Sequence, residues 1–229
     1  MTDPETREEI MTATYEALCE HGYTDLTAQN IADRTDKSKS LLFYHYDSKE
    51  DLVTDFLAYL LEWFDERVRE TETLPPIERL AMFVDWYLYG SSESDHQSFH
   101  TALLELRTQA PYNDRYREQL RRSDDRFRAT LEEILEDGIE TGQFVEHDTE
   151  QTAALLIAAL DGARVRQLTL DRDEYLETVR SATVSRIFDD ILAEDVTFPS
   201  EKARDIDPNT ERTRREEASD KPDRDGDGS

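Results

Sequence analysis

Apolar residues recur along this chain three and four positions apart, the spacing of one helix face, and no stretch alternates apolar and polar residues for long. A first helix is predicted from about Glu5 to His21, with Ile10, Ala13, Ala17 and Leu18 facing inward and Gly22 as its stop. Thr27 can cap a short second helix, Ala28 to Arg34, that turns Ile31 and Ala32 inward. After a turn at Thr35-Asp36-Lys37, Ser38 caps a third helix reaching about Tyr46. Ser48 caps a long fourth helix, with Glu50 and Asp51 in the first turn, where the helix dipole favours acids. Leu52, Phe56, Leu57, Leu60, Leu61 and Phe64 run along it.

Pro75-Pro76 ends this unit and opens a fifth helix bearing Leu80, Phe83, Val84, Tyr87 and Leu88 on one side. A sixth helix is predicted over about His96 to Thr108, a seventh over Asp114 to Glu140, an eighth over Thr149 to Leu168 and a ninth over Asp173 to Ala193. Beyond Pro199 the chain is charged, with Ile206 as its one large aliphatic, and too little apolar surface remains to offset the entropy of ordering. The reading is an all-α protein of about nine helices. Residues 4–64 form a three-helix helix-turn-helix domain, joined by the long fourth helix to a helical domain at 75–195, and 199–229 form a disordered acidic tail.

Charge sharpens this picture. Lys and Arg number 27 against 54 Asp and Glu, a formal net charge of -27, so the surface as a whole repels phosphate. The lysines are Lys37, Lys39, Lys49, Lys202 and Lys221; an acidic, Lys-poor surface suits a salt-loaded cytoplasm, which points to a halophile. Outside the tail every lysine lies between Lys37 and Lys49, beside Arg34 and His45. Cations kept at one corner are what phosphate contacts need. The same stretch holds Asp33, Asp36 and Asp47, so neutralisation of nearby carboxylates is the competing explanation. Cys19 is a lone cysteine, no apolar run is long enough to span a membrane, and the first residues lack the order of a signal peptide; a cytoplasmic protein without disulfides or membrane partner is expected.

Three blocks carry a family resemblance: Thr27-Ala28-Gln29-Asn30-Ile31-Ala32, then Ser38 to Tyr46 (SKSLLFYHY), then Ser48-Lys49-Glu50-Asp51-Leu52. At this spacing residues 4–64 resemble the TetR/AcrR family of transcription regulators. The run Leu155 to Gly162 and the Gly-closed seventh helix are similar to its BetI-like branch. The resemblance implies that Thr27 and Gln29 touch the DNA backbone or a groove edge. Ser38, Lys39 and Ser40 would open a recognition helix in the major groove, with Leu41 and Phe43 against base edges. Tyr44 and His45 would bond phosphates, Lys49 would add a contact assisted by the dipole, and Lys37 belongs to the same basic corner. Leu42 and Tyr46, four apart, are read as packing. The chain departs from the family pattern at Asp36 and Lys37 in the turn and at Ser40 and Leu41, so base specificity does not carry over.

The resemblance also implies an effector pocket and a dimer interface in the later helices. Trp63, Phe83, Trp86, Tyr87, Phe99, His100, Leu103 and Phe127 are pocket candidates, although aromatic stripes at helical spacing are commonly core. Grouped rings suit a quaternary ammonium. For the dimer, Leu155, Leu156, Ala159 and Gly162 form one seam and Val179, Ala182, Ile187 and Ile191 a second, with packing inside one subunit as the alternative. His96 and His100 share a face but lack a third ligand, so no metal is expected, and no cofactor motif is present. The expected function is a dimeric, ligand-responsive repressor on a palindromic operator of double-stranded DNA, its small-molecule effector unidentified. A protein-binding module with a decayed helix-turn-helix is the alternative. Enzyme chemistry is not expected, because no phosphate loop, nucleophile elbow or metal-spaced cluster is present.

Overall fold

Several helix starts in this protein fall where a side chain takes up backbone N–H groups that the first turn leaves open. Asp3 accepts from Thr6 N (3.4 Å) at the head of α1 (Pro4–His21). Thr27 forms a reciprocal capping box with Asn30 at the head of α2 (Ala28–Ala32). Ser48 accepts from Asp51 N (3.1 Å) at the head of α3 (Lys49–Thr71). After α4 (Pro76–Tyr89) and α5 (Glu93–Gln109), Asn113 caps α6 (Asp114–Glu140) and Asp148 caps α7 (Thr149–Leu170). Next comes α8 (Glu174–Thr183), a π-helical turn at Val184–Phe188 and α9 (Asp189–Ile191). The computed structural model describes residues 3–35, 42, 44–90, 93–172 and 174–199, with only the backbone at 93–96. Among these the chain is all-helical apart from one antiparallel bridge, Phe144 to Leu192.

The apolar faces close around two cores. The first gathers Ile10, Met11, Ala17 and Leu18 of α1, Ile31 of α2, Leu42, Tyr46, and Leu52, Val53 and Phe56 of α3. It also takes Phe99, Ala102 and Leu106 of α5 and Tyr116 of α6. The second joins Phe64 and Val68 of α3 to α4, α6, α7 and α8, with Phe188, Ile191 and Phe198. α3 therefore serves both cores, and later helices complete the core of the N-terminal head. Of the predicted third helix only 42 and 44–46 are described; there Tyr46 N donates to Leu42 O (2.8 Å), one helical turn, and both side chains are buried.

Several predicted boundaries shift for local reasons. α2 stops at Ala32 rather than Arg34, because Arg34 N closes a tighter bond to Ile31 O (3.1 Å) while its guanidinium donates to Asn30 O (2.6 Å). α5 begins about one turn before the predicted start. The predicted ninth helix contains a π turn, and it ends where Leu192 turns extended. Its backbone is drawn off by the loop after α6, where Val145 N donates to Ile191 O (2.8 Å) and Ala193 N to Gln143 O (3.0 Å). Phe198, next to the predicted tail, is buried and stacks on Phe188 at 4.7 Å, and Arg180 reaches Pro199 O (3.5 Å). The expectation for the tail falls outside the described residues from 200 onward.

Two features lock the larger body. A Cβ on Gly138 would sit 1.9 Å from the Phe144 ring, so this helix position must be glycine for the loop to fold back. Arg180 of α8 and Asp85 of α4, both buried, form a two-point ion pair at 2.6 and 3.2 Å.

Candidate nucleic-acid interface and sensor core

The exposed face of the head carries the residues expected to meet DNA, as far as they are described. Thr27 and Gln29 are exposed at the start of α2; the Thr27 hydroxyl takes Asn30 N (3.2 Å) and the Gln29 amide donates to Asp33 (2.6 Å). Tyr44 is 81% exposed, and its ring and that of His45 meet edge to face at 5.1 Å. Lys37, Ser38, Lys39, Ser40, Leu41 and Phe43 lie outside the described residues. Lys49 is half-buried: its amine donates to Tyr23 O (3.1 Å) and sits 4.4 Å from the Tyr23 ring centre. An ammonium has three donors, so this bond leaves capacity for a phosphate. Behind this face Tyr46 donates to Asp55 (2.7 Å), which also takes the Arg7 guanidinium (2.9 Å). Burial pushes the Asp55 carboxyl up, but the bonds from Arg7 and Tyr46 outweigh it and the net displacement is downward.

The larger body grips the head at one turn. Gly22 ends α1 at φ +67°, a conformation that favours glycine. The next two amides, Tyr23 N and Thr24 N, donate to Glu105 of α5 at 2.7 and 3.0 Å. Tyr23 OH lies 3.2 Å from Tyr116 OH of α6, the two rings edge to face. Arg115, one residue earlier, pairs with Asp51 in the first turn of α3. Sequence reading missed these contacts: Glu105 and Arg115 look like any charged residue on an exposed helix face, and only the docking of the head brings their partners to them.

The sensor candidates separate into two groups. Trp63, Phe83, Trp86, Tyr87 and Phe127 come together with Phe64, in neighbouring ring pairs 4.6 to 6.3 Å apart. Phe99 and Leu103 instead join the core of the head, Phe99 lying 4.7 Å from Tyr15. The aromatic group ends in polar chemistry: Tyr87 OH donates to Asp161 (2.6 Å), which also pairs with Arg107 (3.0 Å). Burial and the Asp161 charge both raise the Tyr87 phenol, keeping it a donor. Arg164 is buried, contacts His100 and lies 5.4 Å from the Tyr87 ring centre; burial lowers its guanidinium to about 10, still charged at neutral pH. No metal-ligating cluster occurs among the described residues.

Of the two seams expected at the dimer, the structure divides each. Leu156 and Ile191 are buried in their own subunit's core, and Val179 and Ile187 pack against it. Leu156 and Ile191 are thus taken up by their own subunit, while Val179 and Ile187 stay half-buried. Leu155 (56% exposed) lies on the surface of α7, on one side with half-buried Ala159 and Gly162 and exposed Val165 and Leu170. Ala182 is exposed beside a shallow groove lined by Glu177, Thr178, Ser181, Ser185 and Arg186.

A small helical head on the start of a long helix, with the other end of that helix in a larger helical body, is the build of a one-chain helix-turn-helix regulator. Comparison with known proteins agrees. Residues 10–55 match the family model of bacterial regulatory proteins of the tetR family, and 76–193 match that of the BetI-type transcriptional repressor C-terminal region. A TetR transcription regulator from Haloarcula marismortui is 41% identical, covering 83% of this chain and 100% of that one, with a TM-score of 0.74. A transcriptional regulator from Saccharomonospora viridis, in complex with choline, is 25% identical over 84% of this chain and 100% of that one, TM-score 0.71. A regulator from Bacillus subtilis in complex with stearoyl-CoA shares the fold at 22% identity, covering 79% of this chain and 98% of that one, TM-score 0.62. No curated protein matches the chain significantly. The chain belongs to the TetR family of transcription regulators, a family of DNA-binding regulators rather than enzymes. No helix among the described residues is long and apolar enough to cross a membrane.

Proposed function

We propose that this protein is a ligand-responsive repressor that works in the cytoplasm, binds a palindromic operator as a homodimer and releases it when an effector fills the aromatic group. In this reading residues 4–64 bind DNA and 75–195 sense and dimerise. Ser38, Lys39 and Ser40 enter the major groove with Leu41 and Phe43, while Thr27, Gln29, Lys37, Tyr44, His45 and Lys49 hold the backbone. The α7 stripe of Leu155, Ala159, Gly162 and Val165 meets its copy across a two-fold axis.

The observation that carries the effector is the set of rings around Trp86, Tyr87 and Phe127, packed edge to face at 5.9 to 6.3 Å, which would present π faces to an effector that parts them. That is the surface a quaternary ammonium seeks, and choline bound to the Saccharomonospora protein supports the same class here. Trp63 and Trp86 are the chain's two tryptophans, and both belong to this group. Choline titration should therefore change the intrinsic fluorescence and release DNA over the same concentration range. Trp86→Ala should abolish both responses while leaving DNA binding without effector. A fluorescence and DNA response to choline that survives Trp86→Ala would reject this site.

A further inference from the structure

The start of α3, which the proposed reading turns towards phosphate, carries an acid at Asp51. Asp51 stands in the first turn of that helix, its carboxylate held by the Ser48 hydroxyl at 3.1 Å, and two residues from Lys49. A bare carboxylate there would repel the backbone of a bound duplex, the more so in a chain of net charge -27. Its charge is not bare. The guanidinium of Arg115, from the second residue of α6, lies against Asp51, with Arg115 a little over half exposed and Asp51 largely covered. The partner thus comes from the other domain, 64 residues away in sequence. Local capping needs none of this: Ser48 already satisfies the helix start. An exposed pair of this kind adds little to the stability of the fold, so its value must be sought elsewhere.

We propose that Arg115 is a positioning residue for DNA binding, carried by the sensor domain, which neutralises Asp51 so that the start of α3 can approach phosphate. The proposal rests on the DNA-binding reading given above. It also makes operator affinity depend on where α6 sits: any movement that draws Arg115 off Asp51 uncovers a negative charge beside the duplex. The effect acts through Asp51, not through a contact between Arg115 and DNA, and that is what the test separates.

The full-length chain would first select its own duplex from a random-sequence pool, and the most enriched duplex, fluorescein-labelled, would serve as the probe. Anisotropy titrations in 0.1 M and 1 M KCl would compare Arg115→Ala, Arg115→Lys, Asp51→Asn and the double variant Asp51→Asn/Arg115→Ala, with thermal melts as a control of folding. Arg115→Ala should weaken binding roughly three- to tenfold at 0.1 M KCl, the scale expected for one uncovered charge near a few phosphates, and less at 1 M, where screening is about 3 Å. Arg115→Lys should bind nearly as the parent does. In the Asp51→Asn background, removing Arg115 should change nothing, because the charge to be neutralised is gone. An equal loss in both backgrounds would mean that Arg115 contacts phosphate itself and would overturn the proposal, as would unchanged affinity in Arg115→Ala. If the unaltered protein enriches no duplex, the DNA-binding reading has failed, and that result is reached before any variant is made.

Discussion

At the scale of single residues, the strongest constraints are steric and ionic, and each can be broken alone. Gly138 has the Phe144 ring where a Cβ would go, 1.9 Å away. Gly138→Ala should cost about 1–3 kcal/mol by overpacking, seen as a lower midpoint in denaturant at unchanged slope. Arg180→Ala should cost more, about 3–5 kcal/mol, since it takes the two-point cationic partner away from buried Asp85. The same melts read both. Asp55 gives a pH dependence: its folded pKa lies below the ordinary carboxylate value, so its contribution is present above that value and is lost as pH falls through the depressed one. Asp55→Asn should accordingly flatten the acid limb of stability between about pH 4 and the acid transition, measured by melts across that range. A parallel limb in the variant would show that Asp55 is not the group responsible.

At the scale of elements, helices were legible where their own residues determine them, and obscure where a neighbour intervenes. Asn113 starts α6 and Asp148 starts α7 at the expected residues because the cap lies within the element. The predicted ninth helix carries a continuous apolar stripe that gives no hint of the π turn within it, while its end at Leu192 is set by backbone bonds to residues 143 and 145. The expected seams divide at Leu156 and Ile191, which the subunit buries, for a related reason. A helix such as α7 has two apolar sides, and sequence periodicity does not say which one the subunit keeps for itself. Leu155 is on the outer side. Leu155→Glu should leave the melting temperature of the subunit nearly unchanged yet shift the protein from dimer to monomer in sedimentation velocity, with loss of operator binding. A dimer that persists would move the interface to the groove beside Ala182.

At the scale of the whole molecule, charge and topology decide. A chain of net charge -27 stores self-repulsion that salt relieves, so its thermal midpoint should climb from 0.1 M towards molar KCl, with most of the gain at the low end. A midpoint independent of salt would remove the halophilic reading. The family assignment was legible in three short blocks of the head, where helix caps at Thr27 and Ser48 restrict the residue types locally. The sensor half was legible only as helices with aromatic stripes. Phe99 and Phe127 look alike in sequence, yet one completes the core of the head and the other the sensor group.

The sequence by itself determined the helices, their caps and the basic corner of the head, since these follow from periodicity, local hydrogen bonds and charge along the chain. Tertiary structure alone decided which apolar face is kept inside and which rings gather. It also decided that Glu105 and Arg115 hold the head to the body. Such contacts join residues tens of positions apart, and only the packing of one helix on another sets which of many similar side chains meet.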